Sequence, residues 1–113
     1  MTAAHDLSKP AVIVPAYCRP DALSRLLNSI NRAHYPNDDV RLIISLDGGA
    51  TAEVVERARN FNFHAGSVEV IERDEQLGLR EHILWCGDQV QEHGAVIVLE
   101  DDLVVDPWFY QYA

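Results

Sequence analysis

Four short apolar runs alternate along the chain with stretches in which apolar residues recur every three or four positions. Residues 11–17, AVIVPAY, form a continuous apolar run. The following PDALSRLLNSINRAH sets Leu23, Leu26, Leu27, Ile30 and Ala33 on one helical face. Pro20 suits the first helical position, where its missing N–H costs nothing. Residues 39–47, DVRLIISLD, predict a second strand that Gly48 and Gly49 break. Thr51 is placed to cap a helix whose inner face carries Val54, Val55, Ala58 and Phe61. Residues 67–73, SVEVIER, alternate Val68 and Val70 with polar neighbours, the pattern of a half-exposed edge strand. GLREHILWCGDQVQEHG predicts a third helix with Leu79, Ile83, Cys86 and Val90 inward and Gly94 as its stop. Residues 95–100, AVIVLE, give a fourth strand, and Pro107 is placed to open one more helix.

This βαβαβαβ pattern predicts an α/β protein, a Rossmann-like three-layer α/β/α fold around a parallel sheet. Strands that are apolar throughout are covered on both faces, whereas the alternating third strand belongs at an edge. The order 3-2-1-4 satisfies this with right-handed crossovers and a reversal between strands one and four. Strand four then ends the sheet, although its sequence is too apolar for an open edge. Cover by further chain or by a second copy of the protein is the expectation, which makes a homodimer through that strand a candidate assembly.

Composition narrows the class. The 113 residues suit one domain, with residues 1–10 read as a flexible leader. No apolar run approaches the roughly 20 residues of a membrane span, and no signal-peptide pattern opens the chain. A net charge of −9 argues against nucleic acid and anionic membranes as partners, since both need clustered Lys and Arg. An anionic ligand is then expected to arrive with a metal ion. Cys18 and Cys86 form no CxxC pair, so reduced thiols and a cytoplasmic location are expected.

A parallel sheet delivers the carboxyl ends of all its strands to one rim, where ligands bind at the reversal of strand order. The predicted order brings residues 15–19, 47–49, 73–74 and 100–102 there. Glu100, Asp101 and Asp102 end the fourth strand as adjacent carboxylates, and they read either as a solvated turn or as a site for a hard cation such as Mg2+ or Mn2+. Their position at the reversal favours the cation. Asp47 is either a turn residue or an acceptor for a base N–H or a ribose hydroxyl, with the glycines after it allowing close backbone approach. Arg19 pairs with a phosphate or a rim carboxylate, or is a solvated loop cation. Tyr17 stacks on a base or simply packs. Arg80, at a helix start that favours anions, meets a phosphate or is a solvated helix-face residue. His82 reads as a helix-surface residue, and Trp85 and Cys86 as packing. Trp108, Phe109, Tyr110 and Tyr112 read as core or lid contacts ahead of an acceptor cleft.

Several alternatives lack their residues. No GxxxxGK[ST] loop, no GxGxxG after strand one and no GxSxG elbow is present. The stretches AVIVPAYCRPDALSRLLNSI, LIISLDGG, LGLREHILWC and VIVLEDDLVVDPWFYQYA, in this order, resemble the nucleotide-sugar-binding half of a GT-A glycosyltransferase. The EDDL-V-P-FY-Y arrangement looks especially like the inverting N-acetylglucosaminyltransferase I group and its bacterial relatives. The resemblance runs from about residue 11 to the end. It implies a partial GT-A fold over residues 11–113 that stops after the metal motif, with a catalytic base outside this chain. It also implies that Glu100, Asp101 and Asp102 take the place of the family's DxD-type motif, with Asp102 the direct Mn2+ (or Mg2+) ligand, Asp101 on the ribose or supporting the metal, and Glu100 at the nucleotide-sugar site. Asp47 would meet the uracil, Arg19 the uridine or diphosphate, and Arg80 the diphosphate region. The implied partners are a UDP-sugar donor and an acceptor glycan or other hydroxyl compound, and the implied reaction is inverting sugar transfer. Two other readings stand beside it: an inert fragment that only binds nucleotide or self-associates, and a sugar-nucleotide pyrophosphorylase, whose glycine-rich loop VPAYCRP matches poorly.

Overall fold

The computed structural model describes residues 10–36, 39–88, 95–100 and 103–112. Strand β1, Ala11–Ala16, is buried at every position, as its unbroken apolar sequence requires. Helix α1, Pro20–Arg32, starts on Pro20 and buries Leu23, Leu26, Leu27 and Ile30. Strand β2, Val40–Leu46, is almost as fully covered as β1. Helix α2, Ala52–Asn60, is capped as expected, the Thr51 hydroxyl accepting the Val54 N–H at 3.4 Å. Strand β3, Gly66–Glu72, alternates exposed and half-buried residues. Helix α3 spans Leu79–Asp88 and β4 spans Val96–Val98. The predicted continuation of α3 to Gly94 lies outside the described residues.

The four strands form one parallel sheet in the order β3-β2-β1-β4, as the sequence pattern predicts. The two faces of the sheet are filled unequally. Val12, Val14, Leu42, Ile44 and Leu46 point into the larger core, where α1 and α2 pack. Ala11, Ile13 and Ile43 point the other way, toward α3, into a thinner core closed by Cys86. Period-two alternation therefore splits β2 into two files. Leu42, Ile44 and Leu46 face the large core, while Ile43, Ser45 and Asp47 face α3 and become more polar toward the carboxyl end. That end is where a site can be built.

Strand β4 ends the sheet and is half-buried along its length, less sealed than β1 or β2. Past it the chain turns at Glu100, whose carbonyl accepts the Leu103 N–H at 3.1 Å. It then runs back across α1 toward the amino ends of the strands. Val105 N–H donates to Ser29 Oγ at 3.1 Å, and the Tyr110 hydroxyl donates to the Pro10 carbonyl at 2.8 Å. Asp106 caps this segment through the Trp108 N–H at 2.9 Å. The helix expected from Pro107 forms only as a short 3-10 turn, Phe109–Tyr112. Phe109 and Tyr110 pack edge-on against Tyr35, and with the bond to Pro10 they anchor this turn.

Because α1 carries the large core, truncating Leu26 to alanine should cost about 3 kcal/mol. The half-exposed Leu84 of α3, 54% accessible, should tolerate the same change with less than about 0.5 kcal/mol lost. Urea midpoints of the two variants, at unchanged slope, measure the contrast.

Candidate functional site

A cleft of about 240 Å3 opens at the carboxyl ends of the strands, between the loops that follow β1, β2 and β4. Its volume lies just under the roughly 300–1,000 Å3 usual for small-molecule sites. Tyr17, Cys18 and Arg19 line it from the β1 loop, Asp47 from β2, Gln76, Gly78 and His82 from the approach to α3 and its first turn, and Glu100 from β4. The sheet thus brings Tyr17, Arg19, Asp47 and Glu100 to one rim, at the reversal between β1 and β4. Asp101 and Asp102 lie outside the described residues, and so does the side chain of Arg80 on α3.

The wall on the β2 side is built on Asp47, which is buried, with 4% of its surface accessible. Its Oδ1 accepts the N–H groups of Gly48 at 2.9 Å and Leu77 at 2.7 Å, and its Oδ2 accepts that of Gly78 at 3.0 Å. Burial alone would push this carboxyl up, but the three backbone donors, aided by His82, more than offset it and hold Asp47 below the usual carboxylate range. A carboxylate has roughly four acceptor positions, and the donors among the described residues occupy three, which leaves one on Oδ2. Gly48 is required here because a Cβ would collide with the backbone of Glu75 and Gln76. Gly78 takes φ +80°, a left-handed conformation that favours glycine. The β1 and β2 loops are joined as well: Asp47 N–H donates to the Ala16 carbonyl at 3.0 Å and Thr51 N–H to that of Tyr17 at 3.1 Å.

Beneath this wall His82 departs from its expected place on the helix surface. It is buried at 3% accessibility, with Nε2 2.7 Å from Ser45 Oγ. The inner face of α3 centres on His82 and Cys86, while Ile83 is only half-buried. The sequence carried a signal for this. His82 stands three residues after Leu79 and four before Cys86, on the same helical stripe, and Ser45 interrupts an apolar strand on its α3-facing file. Burial and the Arg73 guanidinium hold the imidazole below its usual range, against the pull of Asp47. Burial likewise pushes the Cys86 thiol up to about 11, so it stays protonated.

Arg73 ends β3 as expected but turns under α3. Its guanidinium carbon sits 3.6 Å from the centre of the Trp85 ring, and its buried Nε and Nη2 find no hydrogen-bond partner among the described residues. The ring face offsets part of that cost. Trp108 to Tyr110 lie far from the cleft, at the amino ends of the strands. Phe109 and Tyr110 join Tyr35 in the core contacts anticipated for them, whereas Trp108 stays exposed and stacks on His34 at 4.1 Å at the surface; the side chain of Tyr112 lies outside the described residues.

Among the described residues no three potential metal ligands gather, and Glu100 is the one acidic triplet member placed in the cleft. The oxygen-only donor set of that triplet suits a hard divalent cation. Among the described residues no helix is long and apolar enough to cross a membrane.

A parallel 3-2-1-4 sheet with its cleft at the reversal defines an α/β domain of the GT-A type. The family model "Glycosyl transferase family 2" matches residues 11–112, and the chain belongs to that family. Staphylococcus aureus TarS, solved as residues 1–349 in complex with UDP, superposes with a TM-score of 0.66 at 19% identity, covering 92% of this chain and 30% of that one. A second S. aureus TarS structure gives 0.67 at 19% identity, over 92% of this chain and 18% of that one. The chain thus spans less than a third of the TarS chains it matches. No curated protein matches it.

Replacing Asp47 by asparagine presents an amide N–H2 to backbone donors and should cost about 2 kcal/mol at neutral pH. Because the folded carboxyl titrates below the unfolded one, the stability it contributes is present above about pH 4 and lost as pH falls through the folded value. Thermal melts from pH 7 to pH 2 should therefore converge for parent and Asp47→Asn at the acid end.

Proposed function

We propose that this chain is the donor-binding part of a metal-dependent glycosyltransferase that takes a UDP-sugar and transfers its sugar to an acceptor hydroxyl with inversion. The observation that carries the reading is the shared cleft, in which an arginine, a buried aspartate and the first acid of the EDD triplet meet at the strand-order reversal. Family membership supports sugar transfer as the reaction class, and the similar fold of TarS was solved with UDP. Inversion and kinship with the N-acetylglucosaminyltransferase I group rest on the EDDL-V-P-FY-Y arrangement.

In this reading the open acceptor position on Asp47 Oδ2 takes a uracil N–H, with Tyr17 beside it to cover the base. Arg19 at the cleft mouth takes the uridine or diphosphate, and Arg80 is assigned to the diphosphate region on the sequence resemblance alone. Glu100 and Asp101 meet the ribose hydroxyls. Asp102 would hold Mn2+ or Mg2+ together with the substrate phosphates, and such an ion supplies charge neutralisation to a leaving diphosphate. The acceptor oxygen forms its bond to the anomeric carbon as the bond to the diphosphate breaks. The acceptor proton passes to a general base, a role assigned to none of the described residues.

Titration calorimetry of UDP, with and without Mn2+, on the parent and on Asp102→Asn tests the reading. Binding should require the metal and should fall at least tenfold in the variant. Equal affinity in all four titrations would remove the metal role, and no affinity in any would remove the donor site. A second expectation concerns Arg19→Ala, which should weaken UDP more than uridine because only UDP offers a diphosphate. Competition titrations of the two ligands measure the difference.

A further inference from the structure

Four groups close a circuit around the β2 wall of the cleft. Ser45 Oγ meets His82 Nε2 at 2.7 Å. The His82 backbone N–H donates to the Gly78 carbonyl at 2.9 Å. Gly78 N–H donates to Asp47 Oδ2 at 3.0 Å. Asp47 follows Ser45 by two residues along the same file of β2, which returns the circuit to its start. Three of the four, Asp47, Gly78 and His82, line the cleft itself. Gly78 is therefore held on both sides, by its N–H and by its C=O, at the point where the chain enters α3. A buried polar circuit of this kind specifies one geometry as long as every member is satisfied.

We propose that His82 is a positioning residue for the nucleotide: tied to Ser45 and to Gly78, it fixes the first turn of α3 relative to Asp47 and so sets the spacing between the base-binding and diphosphate-binding sides of the cleft. This rests on the donor-site reading above. The circuit spans the two ends of that ligand. Asp47 stands at one end and the α3 start that carries Arg80 at the other, and Ser45 and His82 connect them beneath the surface. An apolar residue at position 82 would keep the backbone bond to Gly78 but lose the side-chain bond that ties the first turn of α3 to Ser45.

The charged surroundings make the role readable by pH. His82 faces Ser45 and Asp47 from β2 and Arg73 from the end of β3. Its own helix contributes Cys86, a protonated thiol, and Arg19 and Glu100 stand on the same cleft. A proton on the ring would set a second cation beside Arg73 and draw Asp47 away from its backbone donors. Acid should thus distort the wall while the rest of the fold persists. The sign agrees with the depressed imidazole: the unfolded chain binds the proton first, so stability falls as pH drops below about 6.5.

The test is UDP affinity in the presence of Mn2+, measured by calorimetry from pH 7.5 to pH 5.5 on the parent, His82→Gln, His82→Leu and Ser45→Ala, with circular dichroism confirming that each is folded at each pH. Glutamine keeps a hydrogen-bonding group near the Nε2 position but does not titrate. The terminal phosphate of UDP, with its own pKa of about 6, titrates alike in every protein, so only differences between proteins are read. His82→Gln should match the parent within about threefold at pH 7.5 and lose less affinity than the parent at pH 5.5. His82→Leu and Ser45→Ala should bind UDP at least fivefold more weakly at pH 7.5 while binding uridine within about twofold of the parent. Coincident pH profiles for parent and His82→Gln, or full UDP affinity in folded His82→Leu, would overturn the positioning role and leave the donor site standing. A parent that binds no UDP overturns the donor site, and this inference with it.

Discussion

One carboxylate, that of Asp47, holds the cleft together. It ends β2, is almost fully buried, and accepts three backbone N–H groups, two of them from residues about thirty positions further along the chain. A buried charge without such donors would be expelled or neutralised. With them it becomes a clasp that fixes the loop before α3 against the end of the sheet. Gly48 permits the backbone contact, Gly78 supplies the left-handed turn, and the opposite loop hangs on the same strand end through the bonds to Ala16 and Tyr17. Removing the carboxylate would free Leu77 and Gly78 and so loosen the wall before α3, while the backbone bonds to Ala16 and Tyr17 would still hold the β1 loop.

The arrangement is uneven across the sheet, and the unevenness has a purpose that packing alone does not give. On the side of α1 and α2 the core is mainly aliphatic and aromatic, with the buried Ser29 bonded to Leu26 and Val105. On the side of α3 it is thin, and toward the rim it contains a serine, a histidine, an arginine and a cysteine. Buried polar groups contribute little net stability even when satisfied, and cost much when one partner is lost. Arg73, with two buried nitrogens lacking acceptors among the described residues and its plane against Trp85, shows that this side carries some of that cost openly.

The fold could be read in the sequence because each strand declared its surroundings. AVIVPA and VRLIISL are apolar on both files and lie inside, while SVEVIE alternates and lies at the edge. With right-handed crossovers the 3-2-1-4 order satisfies those contrasts, although the fourth strand reads as too apolar for the edge it takes. The rim followed from topology, so Tyr17, Arg19, Asp47 and Glu100 were placed without knowledge of any contact. What the sequence hid was the inside of the α3 face. A histidine on a helix reads as solvated unless its stripe is traced residue by residue, and the serine that receives it lies 37 positions earlier. The last segment was hidden for a similar reason. Pro107 marks the turn into it, but its anchors, Tyr35 and Pro10, are distant in sequence and act through space.

That last segment also governs the order in which the chain can assemble. The hydroxyl of Tyr110 closes on the carbonyl of Pro10, a contact across 100 residues, and Val105 reaches Ser29 across 76. Contacts of such separation are slow to form because a long loop must close before they contribute. During synthesis the sheet can pair strand by strand as each emerges, yet the lower flank of α1 must wait uncovered until the aromatic segment has left the ribosome. For that interval Tyr35, which Phe109 and Tyr110 later cover, leaves an apolar surface open, the kind of surface that a chaperone holds.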